Sequence, residues 1–306
     1  MRPLKNMCEV AVIGGGLAGL SAARHAARLG RLVTLFESTG LYGGQVATID
    51  EVDGLLVPGK FSGQDLAIHV LQDARKAGVQ VVEVGVAKIE SGNRLQLIDQ
   101  ENKTYYPEAV IIASGASLRK LGVPHEEEFA GRGVSRCATC DGPFFRGQDV
   151  VVVGGGDAAV QEALVLAKTS KRVIMACRSP LKAKRDYIDK VAARENVSFM
   201  WDSEVSAILG QDGVSGVRLR NVRDGTSSEV ECAGLFPFIG VAPNTGFVPA
   251  SLLAATGHIK TGAGFATSDP RVFAVGAVRA DYGGNVVEAM AEGVGAAEAA
   301  ARLLVN

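Results

Sequence analysis

The sequence predicts an α/β protein with two Rossmann-like units, because one pattern occurs twice along the chain. Each copy has a short apolar strand, a glycine-rich turn, a helix of small residues and a second apolar strand; the copies begin at Glu9 and Asp149. This series is typical of a parallel sheet covered by helices. The 306 residues allow two domains, since one domain commonly takes about 150 residues.

Composition excludes several classes of protein. Apolar residues make up 47% of the chain, which predicts a substantial core and argues against disorder. The 32 Lys and Arg nearly balance the 33 Asp and Glu, and no basic block is present, so we expect neither nucleic-acid nor membrane partners. Residues 1–9 lack an apolar run of signal-peptide length, and no stretch approaches the roughly 18 uncharged residues that span a bilayer. We therefore expect a cytoplasmic protein.

The first glycine turn has the features of a dinucleotide-binding unit. A strand over residues 9–13 leads into it, a helix follows to about Leu29, and the next strand ends at Glu37. The third glycine lets the helix pack close to the strand, so that the helix N-terminus faces a pyrophosphate. Glu37 lies where a carboxylate binds the ribose hydroxyls of an ADP group. The motif glycines are Gly14, Gly16 and Gly19.

The second copy differs in its closing residue. Its predicted strand over residues 172–177 is followed by Arg178 and Ser179, with Lys182 beyond, where the first copy has Glu37. A cation there suits the 2′-phosphate of NADPH, which a carboxylate would repel, so the pattern favours NADPH over NADH. The alternative is a solvated basic helix start. The turn itself contains Gly154, Gly156, Asp157, Ala158 and Ala159.

Two of the five cysteines form a C-x-x-C sequence. Cys137 and Cys140 are either a redox pair or half of a metal site. A zinc site normally needs a second pair of Cys or His ligands, and the sequence has no second C-x-x-C and only four histidines, none near the pair. We therefore expect a redox pair and no metal. Isolated cysteines in apolar, strand-like surroundings are expected to be small buried side chains: Cys8, Cys177 and Cys232.

Further strands and a last helix follow from local patterns. Residues 79–115 contain short alternating runs that predict a small β-meander returning to the sheet, and residues 217–220 and 228–232 have the same pattern. The alanine-rich tail from Gly293 to Leu304 predicts the last helix. Electron transfer between two dinucleotides would explain two such units in one chain, with FAD in the first and a nicotinamide in the second.

Motifs along essentially the whole chain resemble those of the low-molecular-weight thioredoxin reductase family, and in the same order. The resemblance includes the C-A-T-C-D-G-P-F-F sequence immediately before the second dinucleotide unit. The matching segments are residues 43–45, 113–116, 137–145, Gly240, 243–245 and 272–276.

The resemblance implies a fold of two three-layer ββα domains, the second inserted in the first. The FAD-binding domain would comprise residues 1–116 and 247–306, and the NAD(P)H-binding domain with the C-x-x-C residues 117–246. In that family the two domains rotate between steps, so hinges are expected near residues 114–118 and 242–246, with Gly115 and Gly240 suited to them. The resemblance also implies a homodimer.

The family's chemistry implies roles for individual residues. Cys140 would lie against the flavin and receive its electrons, Cys137 would attack the substrate disulfide, and Asp141 would protonate the leaving thiolate. The expected activity is NAD(P)H-dependent reduction of a thioredoxin-like protein or a small disulfide. FAD would bind at Gly14, Gly16, Gly19, Glu37, Gly44, Gln45, Gly115, Gly276, Ala277, Asn285 and Val286. The nicotinamide nucleotide would bind at Gly154, Gly156, Asp157, Ala158, Ala159, Arg178, Ser179 and Lys182.

Three departures from the family pattern indicate a diverged member. Ala277 replaces an Asp that binds the ribityl chain, a loss of about 1 kcal/mol or somewhat more. Residues 284–286 replace an Arg-Gln-Ala sequence that starts the family's last helix against the flavin, and Asn285 is expected to donate to a ring oxygen. Of three cations expected at the 2′-phosphate only Arg178 is retained, with neighbouring lysines as substitutes.

These departures leave two other functions open. One is a dithiol oxidase that passes electrons to oxygen, or a ferredoxin-linked reductase, with little or no use of NADPH. The other is a non-catalytic flavoprotein that senses redox state or serves as a subunit. The retained second glycine turn argues against the first, and the intact C-A-T-C-D sequence argues against the second. The chain has no histidine after His258, which argues against the larger glutathione-reductase type.

Overall fold

The computed structural model describes residues 8–49, 52, 55, 59 and 61–304. The chain forms two compact units: unit 1 is Met1–Ser117 with Pro243–Asn306, and unit 2 is Leu118–Ala242. Residues 1–7, which enter the signal-peptide argument, lie outside the described residues. In the described part of the chain, no helix is both long enough and apolar enough to cross a membrane.

The described residues form 17 strands and six α-helices. Unit 1 begins with β1 (Val10–Ile13), α1 (Leu17–Arg28), β2 (Val33–Phe36), α2 (Gly63–Lys76), β3 (Gln80–Val82), β4 (Val86–Ser91), β5 (Leu95–Asp99), β6 (Thr104–Tyr105) and β7 (Ala109–Ile112). The chain passes through β8 (Ala116–Leu118) into unit 2, which contains α3 (Ala138–Asp141), β9 (Asp149–Val153), α4 (Asp157–Leu166), β10 (Arg172–Cys177), α5 (Arg185–Ala192), β11 (Val197–Trp201), β12 (Ser203–Gly210), β13 (Val214–Asn221), β14 (Ser227–Glu231) and β15 (Gly234–Pro237). It returns through β16 (Val241–Pro243) and completes unit 1 with β17 (Val272–Ala274) and α6 (Val286–Leu303).

Unit 1 has three layers around a parallel sheet of strand order β17-β7-β1-β2-β3. Strands β1 and β7 are apolar at every position because both faces of the sheet are covered. Helices α1 and α6 pack closely on one face: a Cβ on Gly293 would lie 2.3 Å from the carbonyl oxygen of Ala18. The antiparallel sheet β4-β5-β6 covers the other face, where Leu95 and Leu97 pack against apolar side chains of the parallel strands.

Unit 2 repeats this architecture. Its parallel sheet has the order β11-β10-β9-β15. Helix α4 and residues of α5 pack on one face, where Val160 and Leu166 are fully buried. The antiparallel sheet β12-β13-β14 covers the other, with Ile208 and Val217 in the core. The prediction of two Rossmann-like ββα units in an α/β fold is confirmed.

Some elements differ from the sequence predictions. The predicted meander over residues 79–115 is wrong at its start, because β3 joins the parallel sheet beside β2, with Leu35 opposite Val81. Three residues are too few for periodicity to separate a parallel edge strand from a meander strand. Helix α6 begins at Val286, where the family pattern starts its last helix, and seven residues before the start at Gly293 predicted from the alanine-rich tail. Helix α2, whose N-cap is Ser62, was not predicted.

Candidate active site

The glycine turn of unit 1 joins β1 to α1 and leaves room for a ligand. Gly14 has a φ of 105°, and a Cβ there would lie 2.4 Å from the carbonyl oxygen of Ala113. A Cβ on Gly19 would lie 1.9 Å from the Gly14 oxygen, so only glycine lets α1 pack this closely against the strand. A Cβ on Gly16 would meet nothing within 4 Å, and no side chain caps the helix. The open, uncapped N-terminus fits a pyrophosphate.

Glu37 follows β2 and is tied to this turn. The backbone N–H of Gly15 donates to its Oε2 at 2.7 Å. Its Oε1 accepts from the N–H and the hydroxyl of Thr39, at 2.8 and 2.7 Å. Glu37 is only 9% exposed, so these bonds fix the carboxylate at the carboxyl end of the sheet. That position fits a ribose, and Thr39 was missed by sequence reasoning.

Other predicted flavin residues of unit 1 lie on backbone turns. Gly44 and Gly115 have left-handed φ values of 59° and 65°. The Gln45 side-chain amide donates to the carbonyl of Ala116. Asn244 donates its backbone N–H to Gly115 at 3.0 Å, so the two stretches of unit 1 that border the inserted unit are joined at this turn.

The turn after β17 is held by residues that the sequence analysis did not single out. Gly276 has a φ of 70° and donates its N–H to Oε2 of Glu292 at 2.6 Å. The same carboxylate accepts from Nε of Arg279 at 2.9 Å. Ala277 lies between these contacts and offers no polar side chain. A Glu in the small-residue sequence of α6 was the signal available for Glu292.

Asn285 caps helix α6, which begins at Val286. Its Oδ1 accepts from the N–H of Glu288 at 2.8 Å, and its Nδ2 donates to the Glu288 carboxylate at 3.1 Å. This reciprocal arrangement resembles a capping box. The amide therefore already has a structural role, and its predicted hydrogen bond to a flavin ring oxygen stays a prediction.

The glycine turn of unit 2 has the same form. Gly154 has a φ of 127°, and a Cβ there would lie 2.2 Å from the carbonyl oxygen of Phe238. A Cβ on Gly156 would meet nothing within 4 Å, and no side chain caps α4. Ala159 is fully buried, whereas Ala158 is exposed. Asp157 accepts the backbone N–H of Lys184 at 2.7 Å and so links the starts of α4 and α5.

The predicted phosphate-binding residues follow β10 beside this turn. Arg178, Ser179 and Lys182 are all exposed. The backbone N–H of Lys182 donates to the Gly155 carbonyl at 2.7 Å, which holds the segment against the glycine turn. The structure thus brings three polar, exposed side chains to the carboxyl end of the second parallel sheet, where such folds bind nucleotides.

Cys137 and Cys140 are joined by a disulfide in unit 2. Cys137 is the N-cap of α3, and its Sγ accepts the backbone N–H of Cys140 at 3.1 Å. The N–H of Asp141 donates to the Cys137 carbonyl at 3.0 Å. Cys137 is half-buried, Cys140 is exposed and Asp141 is half-buried. The turn therefore exposes the disulfide and places a carboxylic acid next to it in sequence.

A cavity of 340 Å³ in unit 2 includes Asp141 in its lining. Phe144 and Phe145 line it from the segment after the cysteines, with Val134 and Val214 among the other lining residues. The Phe144 side chain is 77% exposed, although large apolar side chains are usually covered. An open cavity with a mixed polar and apolar lining therefore contains the predicted acid, Asp141.

The other cysteines are buried, as predicted. Burial raises the pKa of Cys177 to about 11 and that of Cys232 to about 12. Burial also raises the pKa of Cys8. Thiolates are the reactive form, so these three thiols are inert near neutral pH. Among the described residues, no group of three or more His, Cys, Asp and Glu side chains could hold a metal ion.

Comparison with known proteins assigns the chain to a family. The pyridine nucleotide-disulphide oxidoreductase family matches residues 8–293. A thioredoxin reductase of Treponema pallidum is 39% identical over 297 residues, which cover 96% of each chain. The protein belongs to the thioredoxin reductase family. The crystal structure of Lactococcus lactis thioredoxin reductase covers 98% of this chain and 99% of its own, with 33% identity and a TM-score of 0.93. The crystal structure of T. acidophilum thioredoxin reductase covers 97% of this chain and 99% of its own, with 28% identity and a TM-score of 0.89.

Membership of the thioredoxin reductase family confirms the resemblance that the sequence motifs indicated, and it confirms the class of enzyme. The protein is a flavin-dependent disulfide reductase with a redox-active cysteine pair, and an oxidoreductase of the thioredoxin-disulfide reductase type. The family implies FAD and a pyridine nucleotide as cofactors. Both glycine turns and Glu37 fit such ligands on their geometry.

Proposed function

We propose that this protein uses NADPH and FAD to reduce the Cys137–Cys140 disulfide, and that the resulting dithiol reduces a thioredoxin-like protein or a small disulfide. The observation that supports it most is the disulfide in an exposed turn, in the same unit as an open glycine turn with cationic side chains nearby. We further propose that the enzyme is a cytoplasmic homodimer. The cytoplasmic location and the homodimer both rest on the family resemblance.

Unit 1 would hold FAD at the carboxyl end of its parallel sheet. The first turn of α1 would bind the pyrophosphate, and the Glu37 carboxylate would accept the ribose hydroxyls. Gly44, Gln45, Gly115, Gly276, Ala277, Asn285 and Val286 complete the proposed site. When bound, FAD supplies reversible two-electron chemistry between a nicotinamide and a disulfide.

Unit 2 would bind the nicotinamide nucleotide. The start of α4, with Gly154, Gly156, Asp157, Ala158 and Ala159, would bind its pyrophosphate. Arg178 would pair with a 2′-phosphate, assisted by Ser179 and Lys182, and no carboxylate stands at the end of β10 to repel it. This favours NADPH over NADH as the electron donor.

The dithiol then acts through ordinary thiol–disulfide exchange. The Cys137 thiolate attacks one sulfur of the substrate disulfide, the substrate S–S bond breaks, and Asp141 protonates the departing thiolate. Cys140 next attacks Cys137 in the mixed disulfide, which releases the second substrate thiol and restores the Cys137–Cys140 bond. The N–H of Cys140, 3.1 Å from the Cys137 sulfur, is placed to stabilise the attacking thiolate.

The surface that follows the Cys137–Cys140 turn supports a protein substrate. Phe144 is exposed at the rim of the cavity that Asp141 also lines. Exposed aromatic side chains are enriched where proteins contact one another. We therefore place the docking partner over Phe144.

One anaerobic titration tests the proposal. The purified enzyme is mixed with NADPH, NADH or dithiothreitol, and the visible absorbance band of the oxidised flavin is followed. Fast bleaching by NADPH is the expected result. Bleaching by dithiol alone, with rapid recovery in air, would instead favour the dithiol oxidase.

The nucleotide preference is tested with Arg178→Ala and, as a control, Arg194→Ala. Arg194 is an exposed arginine of unit 2 beyond the end of α5. Loss of a charged hydrogen bond costs roughly 1.5–3 kcal/mol, so R178A should raise KM for NADPH about tenfold or more and leave that for NADH unchanged. Equal effects on both nucleotides would contradict a role at the 2′-phosphate.

A further inference from the structure

A carboxylate from helix α4 binds the redox turn directly. Oε2 of Glu162 accepts the backbone N–H of Ala138 at 2.7 Å. Ala138 directly follows Cys137 and is fully buried. Because Glu162 lies in the middle of α4, a helix that also packs against α3, the contact joins the disulfide-bearing turn to a rigid element of unit 2.

Two N–H groups of this turn have acceptors that bear on the chemistry of Cys137. The N–H of Cys140 is donated to the Cys137 sulfur at 3.1 Å, and that of Ala138 to Glu162. Free N–H groups at the start of a helical turn stabilise a neighbouring thiolate and lower its pKa. Here a carboxylate takes one of those donors and brings a negative charge to the residue next to Cys137.

We propose that Glu162 is a positioning residue that anchors the redox turn through Ala138 and holds negative charge beside Cys137. The role deepens the proposed function, on which it rests, by adding a residue that sets the chemistry of the dithiol. A like charge nearby disfavours the thiolate and so raises the thiol pKa. A thiolate is a weaker nucleophile when its thiol has a lower pKa. By keeping the pKa of Cys137 higher, Glu162 makes the Cys137 thiolate, once formed, a stronger nucleophile than it would be in the same turn without Glu162.

Two variants separate the charge from the anchor. Glu162→Gln keeps an oxygen acceptor for Ala138 but removes the charge, whereas Glu162→Asp keeps the charge but withdraws it by one methylene. Glu229→Gln is the control, because it removes a carboxylate of unit 2 that lies on the antiparallel strand β14 and pairs with Arg218. Each change is made in full-length Cys140→Ser protein, so that Cys137 is the single thiol of the pair.

The measurement is the pH dependence of alkylation of Cys137 by iodoacetamide, followed by peptide mass spectrometry. E162Q should lower the pKa of Cys137 by about one unit, E162D by less, and E229Q not at all. A Cys137 pKa that is unchanged in E162Q would overturn the proposal, even if the melting temperature falls. If E162Q does not fold, E162D decides: no fall in the Cys137 pKa overturns the proposal.

A second readout uses the intact pair. In protein that keeps both Cys137 and Cys140, the rate constant for attack of the Cys137 thiolate on a small disulfide should be lower in E162Q. The reason is that the lower pKa of Cys137 makes its thiolate a weaker nucleophile. Neither measurement involves NADPH or thioredoxin. A failure of the proposed reductase activity would therefore leave the Cys137 pKa shift intact, and a failure of this inference would leave turnover with NADPH intact.

Discussion

Arg279 and Glu292 form an ion pair inside unit 1, with side chains only 13% and 4% exposed. The pair links the turn after β17 to helix α6. The Glu292 carboxylate also accepts the N–H of Gly276, and the Arg279 guanidinium donates to the Ala280 carbonyl at 2.7 Å. The Arg279–Glu292 pair thus holds the turn that contains Ala277, although Ala277 replaces the Asp that the family has at this position.

Glu292→Gln should destabilise the protein strongly. The variant leaves the buried Arg279 charge without its partner, and such a loss typically costs about 3–5 kcal/mol. Glu298→Gln is the matched control, since Glu298 lies on the same helix but is 46% exposed, where an ion pair contributes at most about 1 kcal/mol. Urea unfolding gives both free energies. Similar losses for the two variants would contradict the importance of the buried pair.

The Asp269–Arg271 pair makes stability depend on pH at the acid end. The Arg271 guanidinium hydrogen-bonds the Asp269 carboxylate and lowers its pKa to about 2, from an ordinary value of 3.8. A carboxyl whose pKa is lowered by folding stabilises the native state above its unfolded pKa, and this contribution is lost as the pH falls toward the folded pKa. At neutral pH the contribution is about 2 kcal/mol.

Asp269→Asn should therefore reduce the free energy of unfolding by about 2 kcal/mol at pH 7 and by about half as much at pH 3. Denaturant unfolding of wild type and variant at both pH values provides the measurement. Asp73→Asn, at a half-exposed position on α2, should show a small difference that does not change over this range. A D269N effect that is the same at pH 7 and pH 3 would show that the carboxylate charge is not its cause.

The strands and turns around the two glycine motifs could be predicted from sequence, because each is determined by residues that are neighbours along the chain. Strand β10 was predicted with its observed ends, since Arg172 precedes five apolar positions that end at a change in polarity. The turns at Gly14 and Gly154 were predicted from the glycine motif, and the structure gives its cause: a Cβ at either position would clash with a carbonyl oxygen. Such positions have one physical solution, and sequence spacing is enough to find it.

The contacts that hold the site together could not be predicted in this way. Glu162 and Ala138 are 24 residues apart, and Glu292 and Gly276 are 16 apart. Each contact joins a side chain of a helix to a backbone N–H in a turn, so its existence depends on how the elements pack. A carboxylate on a helix gives no sequence signal of that kind, and Glu162 in particular has the pattern of an ordinary solvated residue.

Glu37→Gln should weaken the binding of FAD. The Gln side chain has a single oxygen acceptor and no charge. If its NH2 group faces Gly15, two donors oppose each other; if it faces Thr39, the acceptor for Thr39 is lost, and in both cases the ribose loses a charged acceptor. Loss of a charged hydrogen bond corresponds to about a ten- to hundredfold weaker dissociation constant. The fluorescence of released FAD measures this constant. Glu83→Gln is the control, because Glu83 is exposed and its carboxylate accepts a hydrogen bond from the Tyr42 hydroxyl at 3.1 Å. An unchanged dissociation constant in E37Q would contradict the proposed ribose contact.

Reduction should expose two reactive thiols and leave three protected. In the native enzyme treated with excess dithiothreitol, iodoacetamide at pH 8 should modify Cys137 and Cys140, because their turn reaches the surface. Cys177 and Cys232 should remain unmodified, since burial raises their pKa to about 11 and about 12 and also blocks the reagent. Peptide mass spectrometry locates each label, and the same reaction in guanidinium chloride should label all five cysteines. Labelling of Cys177 in the native enzyme as fast as Cys137 would mean that the core of unit 2 opens on the timescale of the reaction, and thiol reactivity could then no longer be assigned to the redox turn alone.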